Sequence, residues 1–519
     1  MVLDLRILLR QRKSSVITEF LLIFLICTML TWFLQLLWRK RKLYQASLNL
    51  PGPFALPIIG SAFYFIGKPY NIFGQIMHMF NNYPGIFRVW FGPRMFYAVS
   101  DPKYLEIILT SPQALAKENL YRMAQPVTGH GLFSTLSVAH WKKHRKIINP
   151  TFNQQILDRF MVVFVEQSEI LIEVLKKYAG KEEHDILKLM TRCTLDIISE
   201  TAMGVQIKAQ STDTSFPKWV DRLMEIVMIR IFNIYYHSDF IFANSRLGKE
   251  FYDITNKVRT FTKNVVLEKK KIRYNEKFEN NEVSSDAEGT MLKRTAFLDL
   301  LIDINYEAKN FQFTDEELMD ETITFMIAGS DTTASTNCFV LTMLGLHQDI
   351  QENVLREILE VVGEEGSVQL SHLPNLKYLE RVIKETLRLF PNGPFLVRTA
   401  QEDIDLGDCT IQKGCSIVLG VLRSHRNEKY WPDSLKFDPD RFLPEKAAKI
   451  LPGCFIPFSY GPRNCIGMKY AMMAMKTLLA TVIRRYKLFT SYKSVKDIEL
   501  KSNMVLRPKD GYKLTFELR

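Results

Sequence analysis

A ten-residue stretch near the end of the chain, from Phe458 to Gly467, constrains the fold most strongly. It presents one cysteine, Cys465, in a segment that also holds two glycines and a proline. A run of good helix formers follows directly, so the sequence predicts a loop that ends at a helix N-terminus. Backbone N–H groups and the helix dipole favour a thiolate at such a position, and a thiolate is a metal ligand. The stretch therefore predicts a metal-binding sulfur.

The residues around this sulfur favour haem over zinc. Zinc would need further Cys or His ligands at short spacing, and Cys454, eleven residues upstream, makes no such pair with Cys465. The glycines allow a flat macrocycle to lie against the backbone, Phe458 supplies an aromatic face, and Arg463 offers a cation for a propionate. For a cysteine taken alone, a buried and inert side chain is the commoner role.

Together, the ten residues resemble the haem loop of the cytochrome P-450 family, the haem-thiolate monooxygenases. They match its pattern Phe-x-x-Gly-x-Arg-x-Cys-x-Gly at every fixed position. The resemblance implies haem b with an axial thiolate from Cys465, and haem contacts from Phe458, Gly461, Arg463 and Gly467. It also implies a cytochrome P-450 fold, mainly α with small β-sheets, preceded by an N-terminal transmembrane anchor.

Three residues upstream of the loop complete the haem-binding set that the resemblance implies. Trp141 and Arg145 lie four residues apart on one face of a predicted helix, where family members bind a haem propionate. Arg398 follows two prolines and falls at the position of another propionate ligand. Without the resemblance, a solvated basic helix face and a surface arginine would explain the same residues.

A long helix is predicted from the capping box of Thr314 and Glu317 to about Leu346. The family places an acid and an alcohol within this helix, which assigns Asp331 and Thr332 to proton delivery during oxygen activation. In isolation, these two residues would be explained equally well as a polar patch satisfied within a core helix.

Ala328 separates this chain from many of its suspected relatives. The segment from Thr194 to Gly204 resembles a helix typical of the fatty-acid ω-hydroxylase clan. Members of that clan often carry a glutamate where this chain has Ala328, and the glutamate can become esterified to the haem. Alanine cannot form that ester, so we expect non-covalently bound haem and do not carry over the clan's terminal-carbon selectivity.

Two arginines and a glutamate form a second predicted constellation. Glu385 and Arg388 are three residues apart on one helix face, and Arg441 follows in a Phe-Asp-Pro-Asp-Arg-Phe segment. The resemblance implies that these three side chains form a buried ion-pair lock behind the haem loop. An exposed helix pair is the commoner explanation of such spacing.

The first part of the chain is predicted to be a membrane anchor. Residues 16–38 form an apolar run of about the length that a bilayer span requires, and four basic residues close it. No cleavage site typical of a signal peptide follows. We predict an anchor with basic flanks over 1–43, a proline-rich hinge over 44–60, and a haem-binding monooxygenase domain over 61–519. The predicted location is the endoplasmic reticulum membrane, with a cytosolic catalytic domain.

Net charge and cysteine content restrict the possible partners and compartment. A formal net charge of +12 suits nucleic acid, anionic lipid or an acidic protein, but no nucleic-acid-binding motif is present, so nucleic acid is not expected. The seven scattered cysteines favour a reducing compartment. No flavin or NADPH module is evident. The family resemblance implies electrons from NADPH-cytochrome P-450 reductase, with cytochrome b5 as a further candidate partner.

The function implied by the resemblance is insertion of one oxygen atom from O2 into a lipophilic substrate, such as a fatty acid, a hormone or a foreign compound. Two alternatives remain open: a haem-thiolate protein that binds apolar ligands without turnover, and a membrane-tethered helical scaffold without cofactor. The pair Asp331 and Thr332 favours the enzyme. An aromatic run from Phe232 to Tyr236 either lines a substrate entry or packs in the core.

Overall fold

The computed structural model describes residues 18–32, 34–35, 38, 40–56, 59–67, 69–280, 296–307 and 313–519. The chain forms two compact units, Met1–Gly52 and Pro53–Arg519. In the first unit, residues 18–32 are helical and helix α1 spans Arg41–Leu48. Among the described residues, no helix combines the length and the apolar character needed to cross a membrane. The first 17 residues of the predicted anchor, and residues 57–58 of the predicted hinge, lie outside the described residues.

The second unit is mainly helical. Its longer helices are α2 (Pro69–Asn82), α3 (Pro102–Thr110), α4 (Val138–Ile148), α5 (Met161–Lys176), α6 (Leu187–Ile198), α7 (Phe216–Phe232), α8 (Arg246–Asn280), α9 (Phe297–Glu307), α10 (Asp315–Leu346), α11 (Gln348–Val361), α12 (Lys377–Leu389) and α13 (Met468–Arg485). The predicted start of the long helix is confirmed, because Thr314 and Glu317 form a reciprocal capping box at the N-terminus of α10.

Small β-sheets complete the unit. The strands are β1 (Ile86–Phe91), β2 (Arg94–Val99), β3 (Ala116–Lys117), β4 (His184–Asp185), β5 (Leu396–Thr399), β6 (Ile404–Asp405), β7 (Thr410–Ile411), β8 (Ser416–Leu419), β9 (Tyr486–Phe489), β10 (Leu500–Asn503), β11 (Val505–Pro508) and β12 (Lys513–Leu518). The largest sheet has the order β1-β2-β8-β5-β3, in which β2 and β8 are parallel and the other neighbours antiparallel. The predicted fold class, mainly α with small β-sheets, is confirmed.

Helix α10 passes through the core of this unit and is buried along most of its length. Helix α6 packs closely against it, and Gly329 makes that approach possible. A Cβ atom at Gly329 would lie 2.6 Å from Ile198 Cδ1, which is closer than two carbon atoms can pack. This packing fixes the segment of α10 that carries Asp331 and Thr332.

Candidate active site

The Cys465 loop has the geometry that its glycines and its position before a helix predict. Helix α13 begins at Met468, directly after Gly467, and the Cys465 N–H donates a 2.8 Å hydrogen bond to the Phe458 carbonyl. Gly461 has φ +70°, and a Cβ atom there would collide with the Leu109 carbonyl, so glycine is required on two counts. A Cβ atom at Gly467 would lie 4.0 Å from Cys465 Sγ, which leaves the space beside the sulfur open.

The Cys465 thiol does not have the lowered pKa that its place before a helix N-terminus suggested. Burial raises the pKa of Cys465, while the Gly467 N–H and the charge of Arg145 oppose that rise with smaller effects. The residue as a whole is nevertheless exposed, so part of its surface is open to solvent. A bound metal cation deprotonates a coordinating thiol outright. The thiolate at this position therefore depends on the metal rather than on the helix alone.

Arginines surround this loop. Arg145 on α4 donates from Nη1 to the Asn464 carbonyl at 2.9 Å and from Nη2 to Asn464 Oδ1 at 3.0 Å, which ties α4 to the loop. The guanidinium of Arg463 lies over the ring of Trp141, 4.7 Å from its centroid. The structure thus brings together residues that are more than 300 positions apart in the chain.

Arg398 joins this cluster from β5. It is 3% exposed, and its guanidinium donates to the neighbouring Val397 carbonyl at 3.1 Å. Burial, and repulsion from Arg398, lower the pKa of Arg463 to about 9, and burial also lowers the pKa of Arg398. The cluster therefore concentrates positive charge where water does not solvate it fully.

The donors of this cluster fit an anionic group. Within the described part of the chain, no carboxylate pairs with Arg145, Arg398 or Arg463, and the buried atoms Arg463 Nε, Arg463 Nη1 and Arg145 Nε have no hydrogen-bond partner. Buried like charges are costly unless anions compensate them. Two carboxylates held close together, as in the propionates of haem, would supply both the charge and the missing acceptors.

Lys117 is a fourth cation that the sequence analysis missed. It lies opposite Arg398 in the β3–β5 pairing, and its Nζ is 4.0 Å from the centroid of the Tyr121 ring. Burial, together with repulsion from Arg398 and Arg463, lowers the pKa of Lys117 well below its usual value. A two-residue strand carries no periodic pattern, so only the sheet pairing could have placed Lys117 here.

The two residues assigned to proton delivery face different partners. Asp331 is 8% exposed, and its Oδ1 accepts a 2.6 Å hydrogen bond from Arg507 Nη2. The other terminal nitrogen of Arg507, Nη1, donates to Asp221 Oδ1 on α7 at 2.6 Å. Burial raises the pKa of Asp331, although the Arg507 charge opposes the rise. Thr332 Oγ1 donates to the Ala328 carbonyl one turn earlier at 2.7 Å.

Asp331 lies on the wall of a cavity of about 430 Å³ that Arg507 and Asp221 also line. Neither partner could be predicted from a motif, because Arg507 is on β11 and Asp221 is on α7, far apart in the sequence. The carboxylate of Asp331 is thus reached from this cavity, whereas Thr332 lies at the next position along α10.

The structure brings together the three residues of the predicted lock, Glu385, Arg388 and Arg441. Arg388 Nε and Nη2 donate to the two carboxylate oxygens of Glu385, each at 2.7 Å, and both side chains are completely buried. Arg441 Nε lies 3.5 Å from Glu385 Oε1, and the Asp438 N–H donates to the same oxygen at 3.0 Å. The exposed helix pair that was the alternative explanation is wrong for these residues.

Backbone carbonyls bind the remaining donors of Arg388. Its Nη1 donates to His425 and Ser434 at 2.9 and 2.8 Å, and its Nη2 donates to Lys436 at 3.2 Å. Nearby, His425 Nε2 accepts a hydrogen bond from the Ile456 N–H at 2.9 Å. The lock therefore joins α12 to the segment that leads into the Cys465 loop.

A separate apolar cavity of about 310 Å³ has an aromatic wall formed by Phe65, Phe80, Phe87, Phe91, Phe232 and Phe395. Lys117 and Tyr121 are also on its wall. From the aromatic segment noted in the sequence, Phe232 lines this cavity, whereas Tyr235 is mostly exposed. Tyr236 packs against the main hydrophobic core, so core packing describes part of the segment, whereas the exposed Tyr235 fits neither explanation.

Comparison with known proteins agrees with this geometry. The family model described as Cytochrome P450 matches residues 50–516. The protein named Cytochrome P450 4c3 of Drosophila melanogaster is 35% identical over 487 residues, covering 92% of this chain and 90% of that protein. Cytochrome P450 4V2 of Mus musculus is 35% identical over 465 residues, covering 88% of this chain and 87% of that protein.

Comparison with solved structures identifies the same fold. The crystal structure of the cytochrome P450DA heme domain superposes with a TM-score of 0.76 at 21% identity, covering 91% of this chain and 98% of that chain. Haem with a cysteine thiolate as iron ligand is the cofactor of the matched family. Since the family match spans nearly all of the second unit, the chain belongs to the cytochrome P450 family and is a haem-thiolate monooxygenase.

Proposed function

We propose that this monooxygenase acts on a lipophilic substrate, with fatty acids as the first class to test. The observation that carries this proposal is the apolar cavity of about 310 Å³, whose aromatic wall suits an alkyl chain. The resemblance of the Thr194–Gly204 segment to the ω-hydroxylase clan favours fatty acids over hormones and foreign compounds. Electrons would come from NADPH through a separate reductase.

The haem site of this proposal uses the residues that the structure gathers around the loop. Cys465 would be the axial ligand of the iron, and Trp141, Arg145, Arg398 and Arg463 would hold the propionates. Phe458, Gly461 and Gly467 would shape the surface of the loop against the macrocycle. When bound, haem supplies the redox chemistry that activates dioxygen. With alanine at position 328, we expect the haem to be held without a covalent bond to the protein.

Asp331 would carry protons from the neighbouring cavity toward the Thr332 hydroxyl. Arg507 binds one carboxylate oxygen of Asp331 and so fixes its orientation. Burial raises the pKa of Asp331, which moves that pKa toward neutral pH. A carboxyl group that is held in place and whose pKa is raised by burial is suited to general acid–base work.

We predict that Asp331→Asn lowers product formation by about 100-fold, at the lower end of the range for loss of a general acid–base group. Asparagine keeps the size of the side chain but carries no titratable proton. Product formed per NADPH consumed is the measurement, with haem content and the substrate-induced spectral shift as checks on folding. Asp221→Asn is the matched control, since it removes the other carboxylate bound to Arg507 and leaves Asp331 intact. Equal losses in the two variants would refute the assigned role.

The function itself is tested by isotope labelling. The purified protein is combined with NADPH-cytochrome P-450 reductase, NADPH, 18O2 and a panel of fatty acids. We expect a hydroxylated product that contains one 18O atom, while the second atom appears in water and NADPH is oxidised to NADP+. A control without reductase should give no product. Substrate-induced spectral shifts without NADPH-dependent product would instead support the ligand-binding alternative.

The first unit and the net charge support a proposal for the location and the partners. We propose attachment to the endoplasmic reticulum membrane through a single N-terminal anchor, with the catalytic unit in the cytosol. The large apolar side chains described between residues 20 and 34 are exposed within their unit, which suits contact with lipid. NADPH-cytochrome P-450 reductase would supply the electrons, and cytochrome b5 is a second candidate donor. The net charge of +12 suits an acidic redox partner.

A further inference from the structure

Two histidines and a glutamate meet between α4 and α10, outside the residues assigned to haem binding. His140 and His144 lie one turn apart on α4, and Glu317 lies in the first turn of α10. One potential ligand atom from each of these residues lies within 4.8 Å of the other two. Two histidines four residues apart on a helix face the same side, so they are able to bind one ion together.

Each histidine has a group that orients its ring. His144 Nδ1 is 2.7 Å from Oε1 of the completely buried Glu321. The ring of His140 is within hydrogen-bonding reach of the His130 backbone. The hydrogen bond of His144 Nδ1 to Glu321 fixes the tautomer of that ring and leaves its Nε2 as the ligand atom.

The Nε2 atoms of the two histidines are the candidate ligand atoms. Among the described residues, His140 Nε2 has no hydrogen-bond partner although it is buried. His144 Nε2 lies 3.4 Å from Glu317 Oε1. The other oxygen of Glu317 accepts the 2.8 Å capping hydrogen bond from the Thr314 N–H, so the cap holds one oxygen and leaves the other facing the histidines.

This set has the chemistry of a zinc site. Two imidazole nitrogens and one carboxylate oxygen are a known zinc ligand set that leaves a fourth position for water. Two ligands of one tetrahedral zinc lie about 3.4 Å apart, as follows from Zn–N distances of about 2.0–2.1 Å. The widest separation of 4.8 Å must therefore shrink by about 1.4 Å, and the Glu317 side chain, which is 23% exposed, has room to move.

We propose that His140, His144 and Glu317 bind a zinc ion that joins α4 to α10. The site is next to the haem cluster, because α4 also carries Trp141 and Arg145, but its ligands are different residues. Zinc bound here would fix α4 against the core helix. The competing explanation is a structural ion pair of His144 with Glu321 and Glu317, in which His140 has no part.

Zinc titration of the full-length, haem-loaded protein tests this proposal. After treatment with a chelator, the protein is titrated with ZnCl2 in competition with a chromophoric zinc indicator. We expect one tight site per chain, and X-ray absorption at the zinc edge should show nitrogen and oxygen ligands at about 2.0–2.2 Å. Zinc should also raise the melting temperature of the wild-type protein.

Three variants separate the proposed site from adventitious binding. His140→Asn removes one ligand, and Glu317→Gln weakens another while keeping a side chain that completes the capping box. Both should lower zinc affinity by at least about tenfold, the smallest loss typical of changes near a metal ligand. His78→Asn is the control, because His78 is exposed and hydrogen-bonded to Asn82, away from the cluster.

The outcomes are decisive in either direction. Loss of the tight site in His140→Asn and Glu317→Gln, with retention in His78→Asn, supports the proposal. A wild-type protein without a stoichiometric site overturns it, and so does a His140→Asn protein that binds zinc as tightly as the wild type. The carbon monoxide difference spectrum of each variant shows whether its haem unit has folded, so a folding failure is recognised as such.

Discussion

Replacement of Cys465 with serine is expected to abolish the strongly red-shifted Soret band of the dithionite-reduced, carbon monoxide-treated protein. That band reports a thiolate bound to haem iron, and a serine hydroxyl donates much less electron density than a thiolate. Product formation should fall to background at the same time, because thiolate donation is what favours cleavage of the oxygen–oxygen bond. The difference spectrum is recorded beside the wild-type protein at equal haem concentration.

Cys454→Ser is the matched control for this experiment. Cys454 is also near the haem loop in sequence, but it is 2% exposed and packs in a small cluster with Trp431 and Phe442. Burial raises the pKa of Cys454 to about 11, which makes it a poor source of thiolate. The red-shifted band should survive in this control. If the band persisted in Cys465→Ser or disappeared in Cys454→Ser, the assignment of the axial ligand would be wrong.

Much of the site was predictable because the sequence carries it as local patterns. The haem loop is a fixed string of ten residues, and Trp141 and Arg145 are a pair at helical spacing. The N-terminus of α10 has a capping box that the structure reproduces. The capping box acts through backbone geometry within a few residues, so it is recognised from those residues alone. The haem roles of the loop and of Trp141 and Arg145 were expected from the family resemblance.

The residues that the sequence did not reveal depend on contacts between distant segments. Lys117 reaches the cation cluster through the β3–β5 pairing, and Arg507 comes within reach of Asp331 through the C-terminal strands. The expectation that the helix N-terminus lowers the pKa of Cys465 failed for a related reason. A helix N-terminus is a local feature, whereas the burial that raises this pKa depends on the whole fold. Burial outweighs the local effect here.

Replacement of Glu385 with alanine is expected to leave little haem-loaded protein. The Glu385 carboxylate accepts two hydrogen bonds from Arg388, and neither side chain reaches solvent. Removing one partner of a buried ion pair costs about 3–5 kcal/mol, because the other charge stays buried without compensation. That is a large part of the roughly 5–15 kcal/mol by which native proteins are stable. Haem bound per chain and the midpoint of urea unfolding are the two measurements.

Glu380→Ala is the matched control on the same helix. The Glu380 side chain is 35% exposed, and it pairs with Lys384 at 2.7 Å and with Lys476 at 2.6 Å. The pair with the exposed Lys384 contributes about 1 kcal/mol or less, because water solvates both charges. Lys476 is only 7% exposed, but without Glu380 it keeps its 2.9 Å hydrogen bond to the Leu373 carbonyl, so we expect a smaller loss than for Glu385→Ala. The two variants remove the same side chain five residues apart on α12. A difference in haem loading between them would therefore reflect burial and not the loss of a glutamate as such.

The charges around Glu385 explain why Glu385→Ala should lower haem binding and not only the overall stability. Arg426 is partly buried nearby, and desolvation together with repulsion from Arg388 lowers the pKa of Arg426 to about 9. Without Glu385, the charge of Arg388 would lose its paired acid while it still repels Arg426, and the Asp438 N–H would lose its acceptor. The segment that carries these groups leads into the Cys465 loop, so relief of the repulsion would displace the loop that binds haem. Glu385→Ala protein with normal haem content and an unchanged urea midpoint would refute the lock.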